Sequence, residues 1–126
     1  MNHWAILVAA VTTFMLGGLW YSPALFGNNW NRENGGVKPP SHPAKVFGIA
    51  FIFSLVAAYV FALFVGPNAP WQIAVHKGLL VGAGLVAASF GINYQFAQRS
   101  FKLWLIDGGY HIVQFMLFGL VLGLWH

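Results

Sequence analysis

Val46-Phe47-Gly48-Ile49-Ala50-Phe51-Ile52-Phe53-Ser54-Leu55-Val56-Ala57-Ala58-Tyr59-Val60-Phe61-Ala62-Leu63-Phe64-Val65 is a run of twenty residues without a single charge. At ~1.5 Å of rise per residue, a helix of this length matches a hydrocarbon core of ~30 Å. Peptide groups in lipid must bond within the protein, so a run this long reads as one spanning helix. The alternative, a membrane barrel, needs strict alternation of apolar and polar residues, and the run has none.

Three more stretches of the same kind flank it. The expected spans are about 4–21, 46–65, 73–96 and 101–125. Composition agrees with lipid as the main solvent. Hydrophobic residues are 59% and charged residues 6%, against roughly 25% charged in a soluble protein. The first stretch has no Lys or Arg before it, which a secretory leader would carry, so it reads as a span.

The connections set the topology. Residues 22–45 form the long loop, and its Lys38-Pro39-Pro40-Ser41-His42-Pro43 run cannot continue a helix. The turns around Gly66-Pro67-Asn68-Ala69-Pro70 and Gln98-Arg99-Ser100 are short, which makes consecutive helices antiparallel neighbours. The expected fold class is all-α: an integral membrane bundle of four transmembrane helices in two antiparallel hairpins, one domain over residues 1–126.

Charge adds an orientation. Arg32, Lys38, Lys45, Arg99 and Lys102 fall on the side of the first and third connections, and only Lys77 falls toward the other. Five cations against one put loop 22–45 in the cytoplasm and both termini outside. Trp4, Trp71 and Trp125 then form an outer aromatic belt, with Trp20, Tyr21, Trp30, Tyr94 and Trp104 near the inner one. The net charge of +4 comes from scattered residues with no basic run, which argues against nucleic acid as a partner. The absence of cysteine excludes disulfides and thiolate chemistry.

Glycine spacing points to close helix contacts. Gly78 and Gly82 form one small-xxx-small motif and Gly119 and Gly123 another. A hairpin folded at Gln98-Arg99 brings Gly78 level with Gly119. The two motifs can meet within one chain or between chains, and a homo-oligomer is expected.

Polar residues inside the spans mark the candidate site. Asp107, His111 and Gln114 stand at i, i+4 and i+7, so they share a helix face, with Tyr110 beside them. Ser89 and Asn93 continue the stripe of Gly78 and Gly82 on the third span, and the two stripes are expected to face each other. A carboxylate within a span costs at least ~2.5 kcal/mol to insert, so it is either functional or hydrogen-bonded glue between helices. His3, His76 and His126 fall toward one face but lack a ligand spacing, so no metal is expected. No nucleophile, Walker or dinucleotide motif is present, so neither a cofactor nor an assigned enzyme activity is expected.

Several of these elements together resemble a known family. Leu16-Gly17-Gly18-Leu19-Trp20-Tyr21-Ser22-Pro23-Ala24-Leu25-Phe26-Gly27, then Trp30, resembles the N-terminal signature of a small bacterial membrane family, the domain of unknown function 1761. So do Asn93-Tyr94-x-Phe96, Arg99-Ser100-Phe101-Lys102-Leu103, Ile106-Asp107-Gly108-Gly109-Tyr110-His111 and Gly123-Leu124-Trp125. The resemblance covers the whole chain. It implies a multi-pass protein of a bacterial inner membrane and no assigned activity. The chain departs from the pattern in a short first loop and in Asp107, where the resemblance leads to Asn, which favours a hydrogen-bonding role there. Trp20, Tyr21, Ser22, Pro23, Phe26 and Gly27 are the signature residues to place.

The expected function is to pass or bind a small solute or ion as a homo-oligomer in the bilayer. A structural or accessory subunit is the alternative, and a membrane enzyme using Asp107 and His111 as an acid–base pair is a third reading.

Overall fold

A computed structural model describes residues 2–36 and 40–125. Lys38 of the cation count and His126 of the histidine group lie outside the described residues. The elements are α1 (His3–Trp20), α2 (Gly27–Glu33), α3 (Pro43–Val65), α4 (Trp71–Val81), a π-helical segment (Gly82–Ala87), α5 (Ala88–Phe96) and α6 (Phe101–Leu124). The segment from α4 to α5 is one continuous rod, so four rods are long and apolar enough to cross a membrane. The protein is an all-α bundle, as its apolar runs imply.

Local chemistry places the ends. Asn2 caps α1 by accepting the Ala5 N–H on its side chain at 3.1 Å. Pro43 opens α3 at a first-turn position, where its missing N–H has no intrahelical partner to lose. That starts α3 three residues before Val46. Gly66, at φ +83°, ends α3 in a conformation open to glycine. Ser100 caps α6 by accepting the Leu103 N–H at 3.1 Å. One end of the bundle, here the loop end, carries the α1–α3 connection and the α5–α6 turn. The other, the terminal end, carries Asn2, the α3–α4 turn and Trp125.

α6 is the axis of the bundle and packs on every other helical segment. At the terminal end the core is aromatic. Phe61 of α3 sits edge-on to Phe115 at 5.6 Å, and Phe115 edge-on to Phe118 at 5.2 Å. Alanines of α1, α3 and α4 close around them. The loop half of α3 is different. Pro43–Ala50 are exposed throughout, so that half of the helix stands away from its neighbours.

The glycines bring α4 and α6 together. A Cβ on Gly78 would strike the Phe115 carbonyl, and one on Gly82 would lie 2.8 Å from the Ile112 Cα. A Cβ on Gly119 would strike the Ala74 carbonyl, and one on Gly123 the Trp71 backbone. Both motifs are therefore spent inside one chain. Gly78 lies opposite Phe115 and Met116, not level with Gly119, one helical turn from the register that a hinge at Gln98-Arg99 implies. The π segment contributes to that offset, because its i→i+5 bonding takes up an extra residue.

Candidate functional site

The first signature folds into a compact corner at the loop end. α1 stops at Trp20, the Phe26 N–H returns to the Trp20 carbonyl at 3.0 Å, and the Gly27 N–H bonds the Ser22 carbonyl at 2.9 Å. The Ser22 hydroxyl donates to the Leu19 carbonyl at 2.7 Å, and Pro23 follows with no N–H to place. A Cβ on Gly27 would fall against the Tyr21 and Ser22 carbonyls, so no larger residue fits there. Phe26 packs on the Trp20 ring at 4.9 Å. The corner aims Trp20 and Tyr21 at α6.

Six consecutive residues of α6 receive them. The Trp20 indole N–H donates to the Ile106 carbonyl at 3.0 Å. Asp107 accepts the Tyr21 hydroxyl on Oδ1 at 2.7 Å and the Tyr94 hydroxyl on Oδ2. Gly108 leaves space for Ala87 and Trp104, and Gly109 for the Trp20 ring. The Tyr110 hydroxyl donates to the Thr13 carbonyl at 2.9 Å, over Gly17. His111 Nδ1 bonds Gln114 Oε1 at 2.7 Å. Ile106-Asp107-Gly108-Gly109-Tyr110-His111 is thus the receiving surface for α1 and α5. Burial pushes the Tyr21 hydroxyl well above the ordinary tyrosine range, and its bond to Asp107 adds to the shift.

Asp107 and Gln114 are buried, and Tyr110 and His111 are half-buried on the same side of α6. Ser89 and Asn93 are not with them; both are exposed. The expected stripe on the third span is therefore corrected. The continuation from Gly78 and Gly82 assumes 3.6 residues per turn throughout. The π segment adds a residue and rotates α5 by about 100° relative to an unbroken α-helix. Ala87, Gly91 and Tyr94 then face α6, and the Trp104 indole N–H bonds the Ala87 carbonyl at 2.8 Å. Tyr94 is the partner that periodicity misses. Tyr21 and Trp20 carry a signal in the signature, but no local rule ties that signal to Asp107. Trp20 and Trp104 are consequently hydrogen-bonded inside the bundle, beyond any role at an interface.

Beside this surface lies a cleft of about 630 Å3. Tyr21, Asp107, Tyr110 and His111 form its polar floor. Phe14, Phe47, Phe90 and Trp30 are its apolar walls, from α1, α3, α5 and α2. Toward the terminal end it adjoins a second space of about 500 Å3, which shares Phe14, Ala50, Tyr110 and His111 and reaches Phe115. The exposed loop half of α3 forms one rim.

Trp30 reaches the cleft because α2 is held down. Both Arg99 terminal nitrogens donate to Asn34 Oδ1, at 3.1 and 2.7 Å. The Ser100 hydroxyl donates to Glu33 Oε1 at 2.5 Å while it caps α6. The Trp30 ring stands edge-on to Tyr21 at 5.8 Å.

Asp107 bonds tyrosines and His111 bonds Gln114, so the two form no hydrogen-bonded acid–base pair. Among the described residues no three His, Asp or Glu side chains gather where a metal would sit. No curated protein and no solved structure matches the chain. A family model does, over residues 4–123, a range that takes in the corner, the receiving surface and both glycine motifs. The chain belongs to the family described as Protein of unknown function (DUF1761).

Proposed function

We propose that the cleft beside Asp107 binds a small amphipathic solute that enters from the lipid phase. The observation that carries this reading is the division of the cleft into a polar floor, from α6 and Tyr21, and aromatic walls from α1, α2, α3 and α5. Such a concave, mostly apolar site with a few convergent polar groups is the usual form of a small-molecule site. Binding is favoured over passage within one chain. The space ends at Phe115, and Phe61 and Phe118 fill the bundle beyond it. The glycine motifs are used within the chain, so a homo-oligomer would have to form on other surfaces, of which the loop half of α3 is the barest. We place the loop end in the cytoplasm of a bacterial inner membrane, on the five cations against one. A cysteine at Arg32 that reacts only from outside would reverse that orientation.

The cleft is tested with a photoactivatable fatty alcohol in proteoliposomes. Gly18 lines the cleft, and a Cβ there meets nothing within 4 Å, so Gly18→Leu carries a side chain into the space from a backbone position with room for it. Saturable labelling at Tyr110 or His111 that disappears in Gly18→Leu is expected. Equal labelling of both forms overturns the reading.

One observation favours a second reading, a structural or accessory subunit. Both Asp107 oxygens and the Tyr110 hydroxyl are already bonded within the bundle. On that reading Asp107→Asn changes stability alone, and the chain copurifies with another membrane protein.

A further inference from the structure

We infer that the solute taken by the cleft is a lipophilic organic cation, an amine or quaternary ammonium on an apolar body. This rests on the reading that the cleft binds a solute. Three independent features of the lining select the charge.

The first is charge balance. Among the described residues that line the cleft, Asp107 is the one carboxylate and none is Lys or Arg. Two of the cations have partners away from the cleft. Lys77 Nζ sits over the Phe64 ring at 5.3 Å, and Arg99 holds Asn34. A carboxylate in a poorly solvated setting attracts a cation strongly and repels an anion to the same degree.

The second is the direction of the hydrogen bonds. The Tyr21 and Tyr94 hydroxyls donate to Asp107, and the Tyr110 hydroxyl donates to the Thr13 carbonyl. All three protons are committed, and the two hydroxyls that line the cleft, Tyr21 and Tyr110, turn only oxygen lone pairs to a ligand. With Gln114 Oε1 as its acceptor, His111 Nδ1 carries the proton, which leaves Nε2 as a further acceptor. A phosphate or carboxylate head needs donors that these groups have already spent. An ammonium head needs the acceptors they retain.

The third is the walls. Six aromatic rings line one cleft: Phe14, Tyr21, Trp30, Phe47, Phe90 and Tyr110. Ring faces attract cations, more strongly where water is excluded, and groups of rings are the recurrent means of holding quaternary ammonium. The same walls give no advantage to a simple alkyl chain over aliphatic ones.

The test uses the full chain in phosphatidylcholine nanodiscs and three nearly isosteric probes. These are tetraphenylphosphonium, neutral tetraphenylmethane and tetraphenylborate. Equilibrium binding to each is corrected by the filled variant Gly18→Leu, which removes partition into lipid. The cation is expected to bind at least about tenfold tighter than either other probe, and Asp107→Asn to abolish that preference. Equal binding of all three, each lost in Gly18→Leu, overturns the cation class and leaves a solute-binding cleft standing. No binding of any probe above the Gly18→Leu level overturns the cation class, and the fatty-alcohol labelling then decides the cleft by itself. The comparison of probes on the unmodified chain holds whether or not Asp107→Asn folds.

Discussion

The Tyr21 hydroxyl meets Asp107 Oδ1 at 2.7 Å across 86 positions of sequence. Tyr94 takes the other oxygen of the same carboxylate. One side chain thus pins the end of α1 and the end of α5 to α6, beside a cleft that opens next to it. The arrangement explains why a carboxylate is tolerated inside a span: both of its oxygens accept a hydroxyl, so neither is left bare.

Removing one donor therefore costs less than removing both. Tyr21→Phe and Tyr94→Phe are each expected to lower stability by about 1–2 kcal/mol, the upper range for a hydrogen bond within membrane helices. The double variant should lose more than the sum, because it leaves the buried carboxylate without either hydroxyl. Reversible unfolding in a fixed detergent reads this. Additivity to within about 0.5 kcal/mol would mean that the two bonds act separately.

Alkaline pH probes Tyr21 from another side. Its hydroxyl is held protonated in the folded chain beyond the ordinary tyrosine range, by burial first and by Asp107 second. Below the ordinary pKa of 10.0 both states keep the proton, and the contribution is present in full. As the pH rises past it, the unfolded chain loses the proton and the folded chain does not. Stability then falls, by up to ~1.4 kcal/mol per pH unit for this one group. Tyr21→Phe should show a shallower alkaline loss than the parent chain. An identical slope would show that Tyr21 ionises as freely in the bundle as in the unfolded chain.

The glycines divide into two kinds. Gly119→Ala drives a methyl group into the Ala74 backbone and should cost about 1–3 kcal/mol as overpacking. Gly84 and Gly48 have nothing within 4 Å of a Cβ, so Ala at either should be neutral or gain up to about 1 kcal/mol in helix propensity. The same unfolding measurement ranks all three. A tolerated Gly119→Ala would mean that α4 and α6 do not approach backbone to backbone.

The π segment has a sharp consequence of its own. Deleting the exposed Ala83 allows an unbroken α-helix and rotates α5 by about 100°. Tyr94 then leaves Asp107 and Trp104 loses the Ala87 carbonyl. The deletion should therefore destabilise more than Tyr94→Phe does. A deletion as stable as the parent chain would show that the π turn carries no positional role.

Much of this architecture is legible in the residues. A twenty-residue uncharged run such as Val46–Val65 has one stable form in lipid, so the spans follow from composition alone. Asp107, His111, Gln114 and Tyr110 share a side of α6 because α6 is α-helical throughout, and the i, i+4, i+7 rule applies to it. The rule fails one helix away. Ser89 and Asn93 stand outside because a π turn lies between them and Gly82, and nothing in Gly82-Ala83-Gly84-Leu85-Val86-Ala87 announces it. Tyr21 is legible as part of a signature but not as the partner of Asp107. That pairing depends on the corner at Ser22-Pro23 and on helix packing, both of which are tertiary.

The cleft beside Asp107 is proposed to hold a solute. A density map of the full chain in a lipid nanodisc tests it most directly. Non-protein density is predicted between Phe47 and Phe90, with its polar end at Asp107 and His111. Finding α3 closed against α5, with Phe47 on Phe90 and no space beside Asp107, would contradict it.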